Sequence, residues 1–133
     1  MKLFLDTADF DEIKAADKTG LIDGITTNPT LIKKSGRDPL DVYRDIRDLG
    51  ITDISMEVSG DHDKMLEDAL ALNEQFSECI TVKLPMTVEG LQVCSYLSQM
   101  DIRTNVTLIF NAAQALLAAK AGATYVSPFV GRI

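Results

Sequence analysis

The sequence predicts an α/β protein built on a parallel sheet. Six short apolar stretches with strand character alternate with five main amphipathic helical patterns along the 133 residues. Strands and helices that alternate at this spacing form right-handed βαβ units with parallel strands. The length fits one domain, since single domains most often have about 100–150 residues. We therefore expect residues 1–133 to form a single domain.

The predicted strands are apolar, partly β-branched runs that end at a turn or helix-start signal. They cover residues 2–7, 24–27, 52–58, 80–84, 103–110 and 124–126. The run 80–84 is short, apolar and half β-branched, and it is expected to be buried on both faces.

Helix starts are marked by side chains that accept hydrogen bonds from unpaired backbone N–H groups. Five residues have this role: Asp9, Asn28, Asp38, Thr87 and Asn111. Asn28 and Asp38 each precede a proline, which is favoured at the first helical position. Glu12, three residues after Asp9, indicates a capping box.

Composition excludes several classes of protein. The net charge is −7 with acidic and basic residues interspersed, which argues against nucleic-acid binding. No apolar run is long enough to span a membrane, and the start of the sequence lacks a signal-peptide pattern, so a cytoplasmic location is expected. Cys79 and Cys94 are interpreted as small core residues in a reducing compartment.

Lys83 lies in the middle of the fourth predicted strand. Lysine is rarely buried without a partner, and burial lowers the pKa of an ammonium group. A neutral amine is a nucleophile toward carbonyl groups and can form a Schiff base. The alternative is an edge-strand lysine that reaches water or blocks strand pairing. This stretch alone favours the alternative, and the other strands decide between the two.

Side-chain alternation separates two faces of the predicted sheet, because successive strand residues point to opposite sides. One set is apolar and includes Leu3, Leu5, Ile54, Met56, Val58, Ile80, Val82, Leu84, Val106, Leu108 and Val126. The other is polar and contains Asp6, Ser55, Glu57, Thr81, Lys83, Asn105, Thr107 and Ser127. The polar residues are expected to share an interior near the carboxyl ends of the strands, where parallel β/α folds keep their sites. The alternative is a buried polar network without chemistry.

The sequence gives little support for a metal site or a nucleotide-binding site. His62 between Asp61 and Asp63 is expected to be a solvated loop residue rather than a metal ligand. The glycines stand singly, without a nucleotide-binding loop, and nothing beside Asp6 would hold magnesium. We expect no metal and no cofactor.

Five motifs resemble the transaldolases, and more narrowly the small single-domain transaldolases related to fructose-6-phosphate aldolase. They are Phe4-Leu5-Asp6-Thr7-Ala8, Gly24-Ile25-Thr26-Thr27-Asn28-Pro29-Thr30-Leu31, Val82-Lys83-Leu84-Pro85, Asn105-Val106-Thr107-Leu108-Ile109-Phe110 and Ser127-Pro128-Phe129-Val130-Gly131-Arg132. The resemblance extends over the whole chain and keeps the family's order of motifs.

The resemblance implies four catalytic residues. Lys83 matches the lysine that forms a Schiff base with a ketose phosphate and holds its dihydroxyacetone unit. Asp6 matches the carboxylate that takes and returns the proton of the hydroxyl beside the breaking bond. Glu57 and Thr107 match the pair that positions a water for proton transfer. The protonated imine is the electron sink, so this chemistry requires no metal.

The resemblance also implies residues that bind substrate. Thr27, Asn28, Asn105 and Ser127 match positions around the dihydroxyacetone unit, and Arg132 matches a phosphate contact. The implied substrates are sugar phosphates of the pentose phosphate pathway. Fructose-6-phosphate aldolase is the near alternative, but Glu57 and Phe129 stand where the aldolases tend to have glutamine and tyrosine. These two positions favour a transferase.

The implied fold is the (β/α)8 TIM barrel, which has eight strands and typically about 250 residues. Only six strands are predicted here, so we expect a barrel truncated after its sixth strand. The first and sixth strands would then have unpaired edges, which favour association. A homo-oligomer is therefore expected. The alternative from a different class is an inactive partial barrel with an interaction role.

Overall fold

A computed structural model describes residues 1–132 of the chain, with the backbone alone for Arg132. The strands are β1 (Phe4–Asp6), β2 (Gly24–Thr26), β3 (Ile54–Glu57), β4 (Ile80–Pro85), β5 (Thr104–Ile109) and β6 (Tyr125–Pro128). The α-helices are α1 (Phe10–Asp17), α2 (Pro29–Ser35), α3 (Pro39–Asp48), α4 (His62–Phe76), α5 (Val88–Gln99) and α6 (Ala112–Lys120). A short 3₁₀ helix, Val130–Arg132, follows β6.

The first of two compact units comprises Met1–Glu57 and Phe76–Ile80. Its strands β1, β2 and β3 are parallel and lie in chain order, with Leu5 opposite Ile25 and Ile25 opposite Ile54. The N–H of Ile54 also donates to the carbonyl of Cys79 over 2.8 Å. The fully buried residues of this unit include Ile13, Ile25, Ile46, Ile54 and Phe76.

The second unit comprises Val58–Gln75 and the residues from Thr81 onward. Strands β4, β5 and β6 are parallel and again follow chain order. Lys83 is opposite Asn105, and Asn105 is opposite Tyr125. The core of this unit includes Val82, Leu84, Val93, Leu97 and Val106, all fully buried.

The predicted α/β fold with parallel strands is confirmed. Six strands alternate with helices, and the strand pairs described within each unit are parallel. This is the βα repeat from which β/α barrels are built, present in a partial form. The prediction of a single domain stays a prediction.

The five predicted helix caps are confirmed, since each side chain accepts a hydrogen bond from a backbone N–H in the first helical turn. These residues are Asp9, Asn28, Asp38, Thr87 and Asn111. The predicted capping box at α1 differs in detail. Thr7 lies between its two ends: its hydroxyl donates to Glu12 over 2.8 Å and accepts from the N–H of Asp9 over 3.1 Å.

Leu108 departs from the predicted alternation of side chains. Its φ is 62°, and the pairing of β5 with β6 shifts between Thr107 and Ile109. Such a β-bulge adds one residue to a strand and reverses the alternation beyond it. Leu108 is therefore 40% exposed, and Ile109 takes the buried position. The expectation of Leu108 on the helix-covered face was wrong.

Two further members of the apolar set are less buried than the alternation predicted. Leu3 precedes the first residue of β1 and is 48% exposed. Val126 lies in β6, at the end of the strand order, and is 38% exposed. Leu3 lies just before β1, and Val126 lies in the last strand of the order. The alternation of side chains predicts which face a residue is on, but it does not predict whether other residues cover that face.

Cys79 and Cys94 are buried, as predicted, and neither forms a disulfide. The sulfur of Cys94 lies 3.3 Å from the hydroxyl of Thr104 and 3.8 Å from the carbonyl of Ala121. Burial raises the pKa of the Cys94 thiol, and the bond with Thr104 opposes that shift in part. Among the helices of the described chain, none is long and apolar enough to cross a membrane.

Candidate active site

Lys83 is held at the centre of a buried strand. It is 7% exposed, and its neighbours Val82 and Leu84 are fully buried on the opposite face. Its carbonyl accepts a hydrogen bond from the N–H of Val58 over 3.1 Å. A lysine this buried does not extend its ammonium into bulk water, so the alternative of an edge-strand lysine is not supported.

Three further candidate residues lie on the strands next to β4 in the second unit. Asn105, the register partner of Lys83, is 2% exposed, and Thr107 is 4% exposed. The hydroxyl of Ser127 donates to the side-chain oxygen of Asn105 over 2.7 Å. Register partners on parallel strands project to the same side of the sheet. The second unit therefore brings Lys83, Asn105, Thr107 and Ser127 to one face.

The residues after β6 form the end of the described chain. The Phe129 ring packs edge-on against Phe110, with the ring centres 5.3 Å apart and the planes at 64°. The N–H of Phe129 donates to the carbonyl of Ile109 over 3.0 Å. The backbone of Arg132 lies in the 3₁₀ helix, and its side chain, predicted to contact phosphate, lies outside the described residues.

Asp6 ends β1 in the first unit and is exposed. Its carboxylate accepts a hydrogen bond from the hydroxyl of Thr26 over 2.8 Å. It lines a cavity of about 600 Å³ formed by the β1–α1 connection, the first turn of α1 and the end of α2. Lys34 and Arg37 line the same cavity, which therefore has both acidic and basic groups in its wall.

Thr27 and Asn28 follow β2 and make different bonds. Thr27 is fully buried, and both its N–H (3.3 Å) and its hydroxyl (2.8 Å) donate to the carbonyl of Ser55. The side-chain oxygen of Asn28 accepts from the N–H of Leu31 over 2.9 Å as the cap of α2. That bond occupies the amide oxygen and orients the amide NH₂ as the donor of this side chain.

Glu57 is the last residue of β3 and is partly buried. A buried phenol from α3, Tyr43, interacts with it electrostatically and is hydrogen-bonded to the side chain of Thr27. Burial raises the pKa of Tyr43, the Thr27 bond opposes this, and the charge of Glu57 adds to the rise. Sequence reasoning missed Tyr43. The signal was a tyrosine beside Val42 on an apolar helix stripe, where a buried hydroxyl needs a partner.

The candidate residues thus fall into two groups. The first unit links Asp6 to Thr26, and Thr27 to Ser55 and Tyr43. The second unit holds Lys83, Asn105, Thr107 and Ser127. Whether all of them share one interior stays a prediction.

The five sequence motifs and the βα repeat point to one enzyme family, and sequence comparison tests that resemblance. The sequence model described as Transaldolase/Fructose-6-phosphate aldolase matches residues 3–133. The chain belongs to this family, as the resemblance indicated.

Relatives from several organisms match the whole chain. It is 57% identical to a "Probable transaldolase" of Geobacter metallireducens, 53% identical to one of Clostridioides difficile and 51% identical to one of Thermodesulfovibrio yellowstonii. In each case the match covers 100% of this chain and 62% of the relative. The chain therefore spans less than two thirds of the length of these relatives.

Proposed function

We propose that this chain is a transaldolase that transfers a dihydroxyacetone unit between phosphorylated sugars. The observation that carries the proposal is the burial of Lys83 at the centre of β4, beside Asn105. Imine formation needs a primary amine held in place against the substrate carbonyl, and a lysine on a buried strand supplies one. Family membership and relatives named probable transaldolases support the same reaction class.

In the proposed first half-reaction, the amine of Lys83 adds to the ketone carbon of the donor sugar. The carbonyl oxygen takes up one proton from the attacking amine and a second through the water that Glu57 and Thr107 hold, and it leaves as water, which gives a protonated imine. Asp6 then accepts the proton of the hydroxyl beside the breaking carbon–carbon bond. The aldehyde product leaves, and the bonding electrons move into the imine to form an enamine on Lys83.

In the second half-reaction the enamine carbon attacks the aldehyde of an acceptor sugar. The new alkoxide takes the proton back from Asp6. Water then hydrolyses the imine, which releases the product ketose and restores the lysine. Glu57 and Thr107 position the water for these proton transfers, because a carboxylate and a hydroxyl can accept and donate its protons.

The remaining candidates bind the donor. Asn105 and Ser127 are already joined by a 2.7 Å hydrogen bond, and as a pair they present amide and hydroxyl groups to the hydroxyls of the dihydroxyacetone unit. Thr27 and the amide NH₂ of Asn28 contribute from the end of β2. Arg132 contacts the phosphate. The proposal includes the pentose phosphate pathway, a cytoplasmic location and a homo-oligomeric assembly.

The near alternative is a fructose-6-phosphate aldolase, which belongs to the same family. Glu57 and Phe129 favour transfer over simple cleavage. The two activities are separated by measuring glyceraldehyde 3-phosphate release from fructose 6-phosphate with and without erythrose 4-phosphate. A transaldolase releases it in quantity only when the acceptor is present, whereas an aldolase does not need the acceptor.

The decisive experiment is reductive trapping. The protein is incubated with fructose 6-phosphate and borohydride, and the adduct is located by peptide mass mapping. We expect one dihydroxyacetone-derived adduct, at Lys83. An adduct at a different lysine, or none in protein shown to be folded by circular dichroism, would reject the assignment and favour the inactive partial barrel. Light scattering after size exclusion measures the oligomeric state independently.

A further inference from the structure

The cavity beside Asp6 in the first unit has two kinds of wall. The β1–α1 connection and the first turn of α1 form one side, and the end of α2 with the residues after it forms the other. Its volume of about 600 Å³ is in the range of small-molecule sites. The chemistry of the two walls therefore indicates which ligand the cavity can take.

The first wall carries carboxylates, which only accept hydrogen bonds when they are ionised. Asp6 accepts from the hydroxyl of Thr26 over 2.8 Å, and Glu12 accepts from the hydroxyl of Thr7 over 2.8 Å. A carboxylate has about four lone-pair sites, so each can accept further hydroxyl protons. This wall suits the hydroxyl groups of a polyol.

The second wall carries Lys34 and Arg37, which only donate hydrogen bonds. Lys34 is exposed and forms no hydrogen bond or ion pair among the described residues. Arg37 donates to Asp45 over 2.6 Å, which orients its guanidinium and leaves further N–H donors. The hydroxyl of Ser35 accepts from the N–H of Arg37 over 3.3 Å and ties this turn to α2. This wall suits an anion such as phosphate, whose oxygens accept several hydrogen bonds at once.

Acidic groups outnumber basic ones in the cavity as a whole, since its lining has four carboxylates and two cationic side chains. A free anion is therefore repelled by one wall while the other attracts it. A ligand with hydroxyl groups at one end and a phosphate at the other satisfies both walls. Sugar phosphates have this arrangement.

We propose that Lys34 and Arg37 form a phosphate subsite for the aldehyde sugars that leave and enter beside Asp6. The assignment rests on the proposed function, in which Asp6 takes the proton of the hydroxyl beside the breaking bond. That hydroxyl becomes the aldehyde oxygen, and in glyceraldehyde 3-phosphate the phosphate lies two carbons beyond it. An aldehyde held at Asp6 thus carries its phosphate in the same cavity, where the second wall can bind it. The contact is additional to the one proposed for Arg132.

The first test measures binding without chemistry. Glycerol 3-phosphate has hydroxyl groups and a phosphate but no carbonyl, so it cannot form an imine with Lys83. Calorimetric titration compares it with glycerol and with inorganic phosphate, each of which matches only one wall. Glycerol 3-phosphate should bind roughly tenfold more tightly than either, the factor of one charge-assisted hydrogen bond. Inorganic phosphate that binds equally well would indicate an ordinary anion site and overturn the proposal, as would no binding of glycerol 3-phosphate.

The matched variants are Lys34→Gln and Lys33→Gln. The two lysines are adjacent in α2 and both exposed, but Lys34 lines the cavity and Lys33 does not. Lys34→Gln should raise the dissociation constant of glycerol 3-phosphate roughly three- to tenfold, and Lys33→Gln should leave it unchanged. Equal losses in the two variants would mean that general surface charge attracts the ligand, and would reject the subsite.

Arg37 needs its own control, because Arg37→Gln also breaks the ion pair with Asp45. Asp45→Asn breaks the same pair and keeps the guanidinium. Arg37→Gln should weaken binding of glycerol 3-phosphate roughly three- to tenfold, and Asp45→Asn should weaken it less. Equal weakening in the two variants would overturn the role of Arg37.

Transfer assays connect the subsite to the reaction. With fructose 6-phosphate as donor, Lys34→Gln should raise the half-saturating concentration of erythrose 4-phosphate roughly three- to tenfold and leave that of unphosphorylated erythrose unchanged. A rise for both acceptors would overturn the phosphate assignment. A chain that binds glycerol 3-phosphate through Lys34 but forms no adduct at Lys83 rejects the proposed function and keeps the phosphate site. A chain that forms the adduct while both lysine variants bind alike rejects the subsite alone.

Discussion

The second unit contains two strand–helix regions, β4 with α5 and β6 with α6. Both strands place a valine next to a polar site residue, but the two regions differ in how deeply their apolar side chains are buried. In β4 and α5, Val82 is fully buried, and the helix buries Val93, Cys94 and Leu97. In α6 and β6, Val126 is 38% exposed, and Leu116 and Leu117 on the helix are 71% and 54% exposed. Each region holds a proposed site residue, Lys83 in the first and Ser127 in the second.

The difference shows that alternation and burial are separate properties. Val82 and Val126 occupy equivalent positions in their strands, next to a polar site residue. Burial also depends on what covers the strand, and β6 stands at the end of the strand order. The proposed nucleophile thus lies in the more densely packed region, which suits a group that must stay dry and fixed.

The largest effect is expected at Lys83. Lys83→Met fills a similar buried volume without the amine, so trapping should fall by roughly 10³-fold or more while the fold is kept. The control is Lys120→Met, at the exposed end of α6 in the other region. If Lys83→Met still forms the trapped adduct, the nucleophile is not Lys83 and does not lie in the region of β4 and α5.

The next effect concerns packing. Val82→Ala should lower the free energy of unfolding by about 2–3 kcal/mol, because it leaves a cavity in a closed core. Val126→Ala should cost less than about 1 kcal/mol, because its side chain already meets water. Urea denaturation measures both. Equal losses would show that the two regions are packed alike and would break the comparison.

A smaller effect is expected at Ser127. Ser127→Ala removes the donor to Asn105 and should lower stability by about 1 kcal/mol. If Ser127 also binds the donor sugar, the half-saturating concentration of fructose 6-phosphate should rise severalfold in the same variant. Ser77→Ala, at an exposed serine, is the control. Loss of stability without a change in that concentration would confine Ser127 to a structural role.

The smallest effect depends on pH and joins the two regions, since Cys94 of α5 also contacts the carbonyl of Ala121 after α6. Burial raises the thiol pKa of Cys94 in the folded chain above its ordinary 9.0. The unfolded chain therefore releases this proton first, and the stability gained below pH 9 is lost as pH rises through the folded pKa. Cys94→Ala should flatten the alkaline decline seen in urea denaturation. An unchanged slope would mean that the thiol does not titrate with folding.

Features set by nearby residues could be predicted from the sequence. Each helix cap depends on one side chain and the backbone two or three residues later, so Asp9 and Asn111 were identified correctly. The buried strand around Lys83 could also be predicted, because one of its faces is apolar along its whole length. Membership of the family followed from five motifs in order.

Features set by distant pairing could not be predicted. The bulge at Leu108 depends on how β5 aligns with β6, and no local pattern encodes that alignment. Tyr43 of α3 was missed for the same reason, because its partner Thr27 comes from another element. The individual roles of the candidate residues came from the resemblance and stay predictions.

The bulge at Leu108 limits the alternative alignments that β6 can adopt during folding. The register of a strand is set largely by burial of its apolar side chains, so a strand with little apolar burial is weakly held in one register. A shift of two residues is the easiest error, because it keeps the same side chains facing inward. Here the left-handed backbone at Leu108 interrupts the ladder at one place, and Phe129 bonds to Ile109 just beyond it. A shifted pairing would lose that bond and the contact of Phe129 with Phe110. Backbone geometry thus protects the least buried strand against misfolding where burial cannot.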